Sequence, residues 1–196
     1  MSKILYGKGA CVQRRDSGRK EAMAMPDATG NANPTELLMV RHGESEANVG
    51  LSTDPDCCLT PRGLQQARDL APRLARLDLG GFVAVSSPYR RAVQTAEVLA
   101  AATGLRVEVD PDVREWGATA VVGRQTYPQE PIAETVKRLE RFLLRRQGQR
   151  LLVVAHAAPI ALLTQLAWGE KPVTEGQFWI GVGNCCPRWV KATSGA

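Results

Sequence analysis

Glu36-Leu37-Leu38-Met39-Val40-Arg41-His42-Gly43-Glu44-Ser45 runs apolar from Leu37 to Val40 and then turns abruptly polar. A short apolar run with no polar alternation is the pattern of a strand buried on both faces, as in a parallel sheet. The pattern recurs at Leu151-Leu152-Val153-Val154-Ala155, which is followed by His156. The chain has only two histidines, and each stands at the end of one of these runs. In open α/β sheets functional groups gather at the carboxyl ends of strands, so the two imidazoles are expected to meet in one site.

Working outward, a third run, Phe82-Val83-Ala84-Val85-Ser86, ends in the same way on Ser86-Ser87. Between the first and third runs, Thr60 is a good N-cap and Pro61 suits the first helical position. Leu64, Ala67, Leu70, Ala71, Leu74 and Leu77 keep helical spacing, and Pro72 is expected to kink that helix. Pro88 is expected to open a helix to about Ala102, with Ala92, Val93, Ala96 and Leu99 on one face and Gly104 as its stop. A short strand follows at Leu105–Val109, and 111–128 reads as irregular. Helices are expected from Pro131 to Arg146 and from Pro159 to Trp168, with edge strands near Phe178–Val182 and Arg188–Lys191. Alternating strands and helices make this an α/β domain. Residues 1–34, rich in Gly, Ala, Asn, Lys and Arg, read as a flexible N-terminal arm ahead of a catalytic domain at 35–196.

Composition narrows the classes. The chain has 196 residues, enough for one full core, and its apolar stretches break well short of the roughly 20 residues of a membrane span. No continuous apolar segment marks residues 1–35 as a secretory signal, so a cytoplasmic protein is expected, with no membrane partner. Cys11, Cys57-Cys58 and Cys185-Cys186 contain no C-x-x-C and read as reduced thiols, not as a metal site. The net charge of +5 fits either a nucleic-acid surface or a pocket for an anionic small molecule. Three phenylalanines offer little for base stacking, which disfavours nucleic acid. The densest basic group, Lys137, Arg138, Arg141, Arg145, Arg146 and Arg150, reads as a solvated helix face opposite Val136, Leu139, Phe142 and Leu143.

A phosphoryl-transfer site needs a nucleophile, cationic donors for the equatorial oxygens and a proton donor for the leaving group. Neutral imidazole near pH 7 keeps a lone pair for attack, and guanidinium forks match phosphate geometry. Arg41-His42-Gly43-Glu44-Ser45-Glu46-Ala47-Asn48 supplies both kinds of group. Two further blocks, Leu59-Thr60-Pro61-Arg62-Gly63-Leu64-Gln65-Gln66-Ala67 and Ser86-Ser87-Pro88-Tyr89-Arg90-Arg91-Ala92-Val93-Gln94-Thr95-Ala96, carry arginines but no histidine. With Val113-Arg114-Glu115-Trp116, Leu152–His156 and Gly183-Asn184, these blocks span residues 36–190 in order.

In that order they resemble the blocks of the histidine phosphatase (phosphoglycerate-mutase-like) superfamily. The resemblance implies a three-layer α/β/α fold with a mostly parallel central sheet. It implies a metal-independent phosphomonoesterase, with no cofactor, acting on small-molecule phosphate esters. His42 is then the nucleophile, Glu115 the acid and base, and Arg41, Asn48, Arg91 and His156 the phosphate ligands. Glu108, Asp110 and Asp112 compete for the role of Glu115, Arg90 is ambiguous, and Ser45 either meets phosphate or caps the next segment. A homo-oligomer is left open. The alternatives are a phosphomutase or a silent relative that binds phosphorylated ligands.

The sequence departs from the resembling family at Ala157, where glycine is usual, and in length. Glu115 and His156 are only 41 positions apart, too few for a mutase-type lid, which favours hydrolysis. The leaving group is expected to be read around Leu51–Cys58 and Trp116–Gln129.

Overall fold

The computed structural model describes residues 34–117, 119–170 and 182–192. The arm 1–33 and the strand expected at 178–181 lie outside them. Among the described residues, seven strands and four α-helices follow in chain order: β1 (Thr35–Arg41), α1 (Pro61–Leu74), β2 (Phe82–Ser86), α2 (Arg90–Thr103), β3 (Val107–Val109), β4 (Ala120–Val122), β5 (Gln125–Tyr127), α3 (Ile132–Arg145), β6 (Arg150–Ala155), α4 (Ala157–Ala167) and β7 (Pro187–Ala192). The main sheet has the order β3-β2-β6-β1-β7. Its first four strands are parallel, and β7 closes the edge antiparallel to β1.

The sheet is three-layered because its strands are apolar on both faces. Leu37 and Met39, with Leu151 and Val153, pack against α3 and α4 through Leu139, Phe142, Ile160, Leu162 and Leu163. Leu38 and Val40, with Leu152 and Val154, pack against α1 and α2 through Leu70, Leu74, Ala92, Ala96 and Leu99. Alternate residues of one strand therefore serve two cores. That accounts for the unbroken apolar runs.

Several boundaries differ from expectation for local reasons. The second helix starts at Arg90, not Pro88, because Asp56 Oδ1 accepts the Arg90 N–H at 2.7 Å and stations the first turn there. The first helix runs through Pro72 but stops at Leu74, so Leu77 lies beyond it and is exposed. The last helix begins at Ala157, directly after His156. Within 111–128, β4 and β5 form a hairpin turned at Gly123, whose φ is +59°. Three-residue strands give too short a period to show in the sequence.

The basic stripe on α3 is solvated only in part: Lys137 and Arg141 keep 61% and 60% of their side chains exposed, whereas other members are buried or paired. Arg138 is only 1% exposed, Arg145 pairs with Asp110 and Asp112, and Arg146 pairs with Glu108 and Asp110. The carboxylates beyond β3 draw the stripe inward and are themselves used up.

Gly43 and Gly63 let two backbones touch. A Cβ at Gly63 would lie 1.9 Å from the Glu44 carbonyl oxygen, and one at Gly43 would lie 2.3 Å from the Gly63 oxygen. Neither neighbour is a flexible side chain. Gly63→Ala should therefore cost about 3 kcal/mol, near the top of the overpacking range. Gly104→Ala, at φ +71° with open space around it, should cost about 1 kcal/mol. Urea unfolding of both variants checks this, and equal losses would mean that the two loops are not locked together.

Candidate active site

The strand ends bring the histidines together. Arg41 pairs with Ala155 in the β1–β6 ladder, and the His42 N–H continues it to the Ala155 oxygen at 3.0 Å. The two rings meet edge to face with centroids 5.1 Å apart, and they are 2% and 0% exposed. The turn at His42 is held on three sides. Asn184 Nδ2 donates to the His42 oxygen at 2.8 Å, the Cys185 N–H donates to the Arg41 oxygen at 2.9 Å, and the Gly43 N–H donates to Thr95 Oγ1 at 3.1 Å.

The contacts of His42 assign its tautomer. Nδ1 lies 2.6 Å from the Gly43 oxygen and must carry the proton, leaving the Nε2 lone pair free. Arg91 Nε donates to that lone pair at 3.1 Å. Burial, then the Arg91 and Arg41 charges, push the His42 pKa down to about 3 against the opposing effect of the Gly43 carbonyl. The ring is neutral throughout the physiological range. His156 is also held far below its ordinary value, first by burial and then by Arg91, His42 and Arg41. Its Nε2 is 2.7 Å from Ser87 Oγ, which also accepts the Tyr89 N–H. Its Nδ1 has no hydrogen-bond partner among the described residues, and Glu115 Oε2 stands 4.0 Å away.

Arg91 is 7% exposed, donates through Nη1 to the Pro55 oxygen and lies 5.1 Å from the Tyr89 ring centroid. Arg41 donates to the Val182 oxygen at 2.7 Å, while its buried Nε is unpartnered. Neither guanidinium is in an ion pair among the described residues, so both charges remain available to an anion. Glu115 Oε1 accepts the Trp116 N–H at 3.0 Å. Burial raises the Glu115 pKa against the Trp116 N–H and the charges of Arg91, Arg41 and Arg138.

His42, His156, Arg91 and Glu115 are thus brought together, with Arg41 near enough for its charge to act on both imidazoles and on Glu115. Asn48 is at the margin: its Oδ1 accepts the Ser45 N–H at 3.0 Å and Asn184 Nδ2 at 3.4 Å, bracing the loop after His42. Arg90 faces away from the imidazoles and pairs with Asp56 at 3.4 Å, with 57% of its side chain exposed. Ser45 Oγ is buried and has no hydrogen-bond partner among the described residues. Glu108, Asp110 and Asp112 are bound to arginines of α3. Ala157 needs no glycine, because Cys185 is the one non-glycine residue with positive φ among the described residues. Sequence reasoning gave no role to Ser87, Thr95 or Asp56. Each bonds another site element, and none carries a periodic signal: Ser87 follows β2, Thr95 lies within α2 and Asp56 in the loop before α1.

Two neutral imidazoles, two guanidiniums without an ion pair among the described residues and a half-buried carboxyl thus gather at the carboxyl ends of the parallel strands of an α/β domain. A profile of the histidine phosphatase superfamily (branch 1) matches residues 37–134, and the chain belongs to that superfamily. It is 32% identical over 177 residues to a bifunctional protein of Mycobacterium tuberculosis. That alignment takes in 75% of this chain and 48% of the relative, so the chain spans about half the relative's length. A mycobacterial glucosyl-3-phosphoglycerate phosphatase superposes with a TM-score of 0.54 at 26% identity, over 71% of this chain and 82% of that one. A phosphoglycerate mutase from Bacillus anthracis superposes with a TM-score of 0.59 at 17% identity, over 85% and 94%, and shares the fold.

The buried histidines make stability depend on pH. Below about 6.5 the unfolded chain takes up a proton at each histidine. The folded His42 refuses it until about pH 3. The unfolded state binds more protons in that window, so stability falls as pH drops from about 6.5 towards 3. His42→Asn should flatten part of this slope in urea titrations at pH 7, 6, 5 and 4. An unchanged slope would mean that His42 titrates normally.

Proposed function

We propose that the protein is a metal-independent phosphomonoesterase working through a phosphohistidine on His42. The observation that carries this reading is the pinned tautomer: Nδ1 is tied to the Gly43 oxygen, and Nε2 presents its lone pair beside two unpaired arginines. An entering phosphate ester takes over the Arg91 Nε donor, freeing Nε2. His42 Nε2 then attacks phosphorus while the ester oxygen leaves with the Glu115 proton. Arg41, Arg91 and His156 steady the charge on the three equatorial oxygens, and Asn48 Nδ2 is the further donor. Water, giving its proton to the Glu115 carboxylate, attacks the phosphohistidine and releases inorganic phosphate with His42 restored.

Burial keeps Glu115 protonated to a higher pH than an ordinary carboxyl, which suits a general acid. Its side chain is still 27% exposed, and the nearby hairpin is small, so water can reach the second step. This favours hydrolysis over transfer to a second sugar-acid position. Small-molecule esters fit a site whose nucleophile is 2% exposed.

With EDTA present, p-nitrophenyl phosphate hydrolysis should persist in the wild type and vanish in His42→Ala. Activity surviving in His42→Ala would remove the nucleophile. Glu115→Gln should lose about 10²–10⁴-fold on alkyl phosphates but much less on p-nitrophenyl phosphate, whose leaving group needs no proton. The alkaline limb of the alkyl-phosphate profile should disappear in the same variant. Equal losses on both esters would take the acid role from Glu115.

A further inference from the structure

Glu115 owes its position to its backbone. Among the described residues its carboxyl accepts only the Trp116 N–H beside it, and it has no ion pair with a charged group. Whatever fixes the chain at 111–115 therefore aims the carboxyl. Three of the four main-chain oxygens just before it accept a guanidinium N–H. Arg114 Nη1 donates to the Pro111 oxygen at 3.0 Å, and Arg138 donates through Nη1 to the Asp112 oxygen and through Nη2 to the Arg114 oxygen at 2.9 Å. The Arg114 oxygen lies in the same peptide plane as the Glu115 N–H, so this last bond orients Glu115 directly.

Arg138 can hold a loop because it is itself held. It is 1% exposed on the face of α3 that buries Thr135, Leu139 and Phe142. Its Nε donates to Glu130 Oε1 at 2.6 Å, and the same oxygen accepts Thr135 Oγ1 at 2.8 Å. Glu130 Oε2 holds Arg114 at 2.5 Å and closes the bracket from the other side. A planar fork with separate donors can span two carbonyls and a carboxylate, whereas an ammonium is a single point donor on a flexible stem. Apolar residues of similar volume often serve stability as well as a buried ion pair does, so stability alone does not account for this one. The phosphate ligands hang from other elements. Arg41 and His42 leave the end of β1, Arg91 stands on α2 and His156 follows β6, and none of them is bonded to Arg138.

We propose that Arg138 is a positioning residue for proton transfer: its fork holds the peptide before Glu115 where the carboxyl meets the leaving oxygen, while the phosphate ligands stand without it. The proposal rests on the phosphatase reading for the role of Glu115, and it adds the residue on which that role depends.

Arg138→Lys keeps the charge and loses the fork. Its kcat on an alkyl phosphate should fall about 10²-fold, the scale of a misplaced reacting group, against about threefold or less on p-nitrophenyl phosphate. Inhibition by inorganic phosphate should stay within about twofold of the wild type. In a Glu115→Gln background, Arg138→Lys should lower alkyl-phosphate turnover further by about twofold at most, because the acid it aims is already gone. A merely destabilising change would multiply through both backgrounds. Glu130→Gln, a milder change that weakens the partner of Nε, should show the same pattern at about tenfold. Hydrogen exchange reads the clamp without turnover: amides at 113–117 should exchange about tenfold faster or more in both variants, with β1 and β6 unchanged. Additive losses, equal losses on the two esters, or unchanged exchange at 113–117 would overturn the proposal. Wild-type protein that hydrolyses neither ester, with exchange released in both variants, would sink the phosphatase reading and leave the Arg138 clamp standing.

Discussion

Everything at the site depends on β1 pairing with β6 in register up to the last residue of each strand. The Arg41–Ala155 pair fixes where both chains leave the sheet, and the His42 N–H to Ala155 oxygen bond carries that register into the loop. A slip of one residue would displace one imidazole by about 3.3 Å and turn it to the other face. The two cores forbid that slip. Leu37 and Met39 belong to one and Leu38 and Val40 to the other, so a shifted strand would satisfy neither. Packing energy spread over four strands is thus converted into the placement of two rings.

That placement has an electrostatic cost, and the chemistry draws on the same imbalance. Arg41 and Arg91 sit beside neutral imidazoles with no ion-pair partner among the described residues. Their charges help to hold both histidines neutral. A buried guanidinium without a counter-charge is unfavourable until an anion arrives. Contrast Arg138, more deeply buried but satisfied by Glu130 and two main-chain oxygens. One fold contains both arrangements. The unsatisfied arginines face the strand ends, and the satisfied one lies under the loop that carries Glu115.

The sheet and the two histidines were legible because their signals are local. A strand buried on both faces must be apolar throughout, and a histidine directly after such a run marks the strand end. The ordered blocks added Arg91, Glu115 and Asn48, though Asn48 is seen mainly as a brace for the loop. Elements that depend on long-range partners were not legible. Asp56 moves the start of α2 by capping Arg90 across 34 positions. Arg138 turns inward to Glu130, and Arg145 pairs with Asp110 and Asp112, partners that helical spacing alone does not show. The hairpin of β4 and β5 is too short to show a period.

The carboxyl proposed as acid illustrates why such partners matter. Glu115 follows a short 3-10 turn, Pro111–Val113, beyond the edge strand β3, where a chain ordinarily has freedom to wander. Three ties remove that freedom. Val113 is fully buried in the α3–α4 core, Arg138 grips the main-chain oxygens on either side of it, and Arg114 is clamped by Glu130. Among the described residues Glu115 makes no ion pair with a charged group, its nearest approach being 4.0 Å to the neutral His156, so its side chain keeps room to move. A group that must give a proton in one step and take one in the next needs a fixed backbone and a lightly held carboxyl. The buried arginine of α3 supplies the first without imposing on the second.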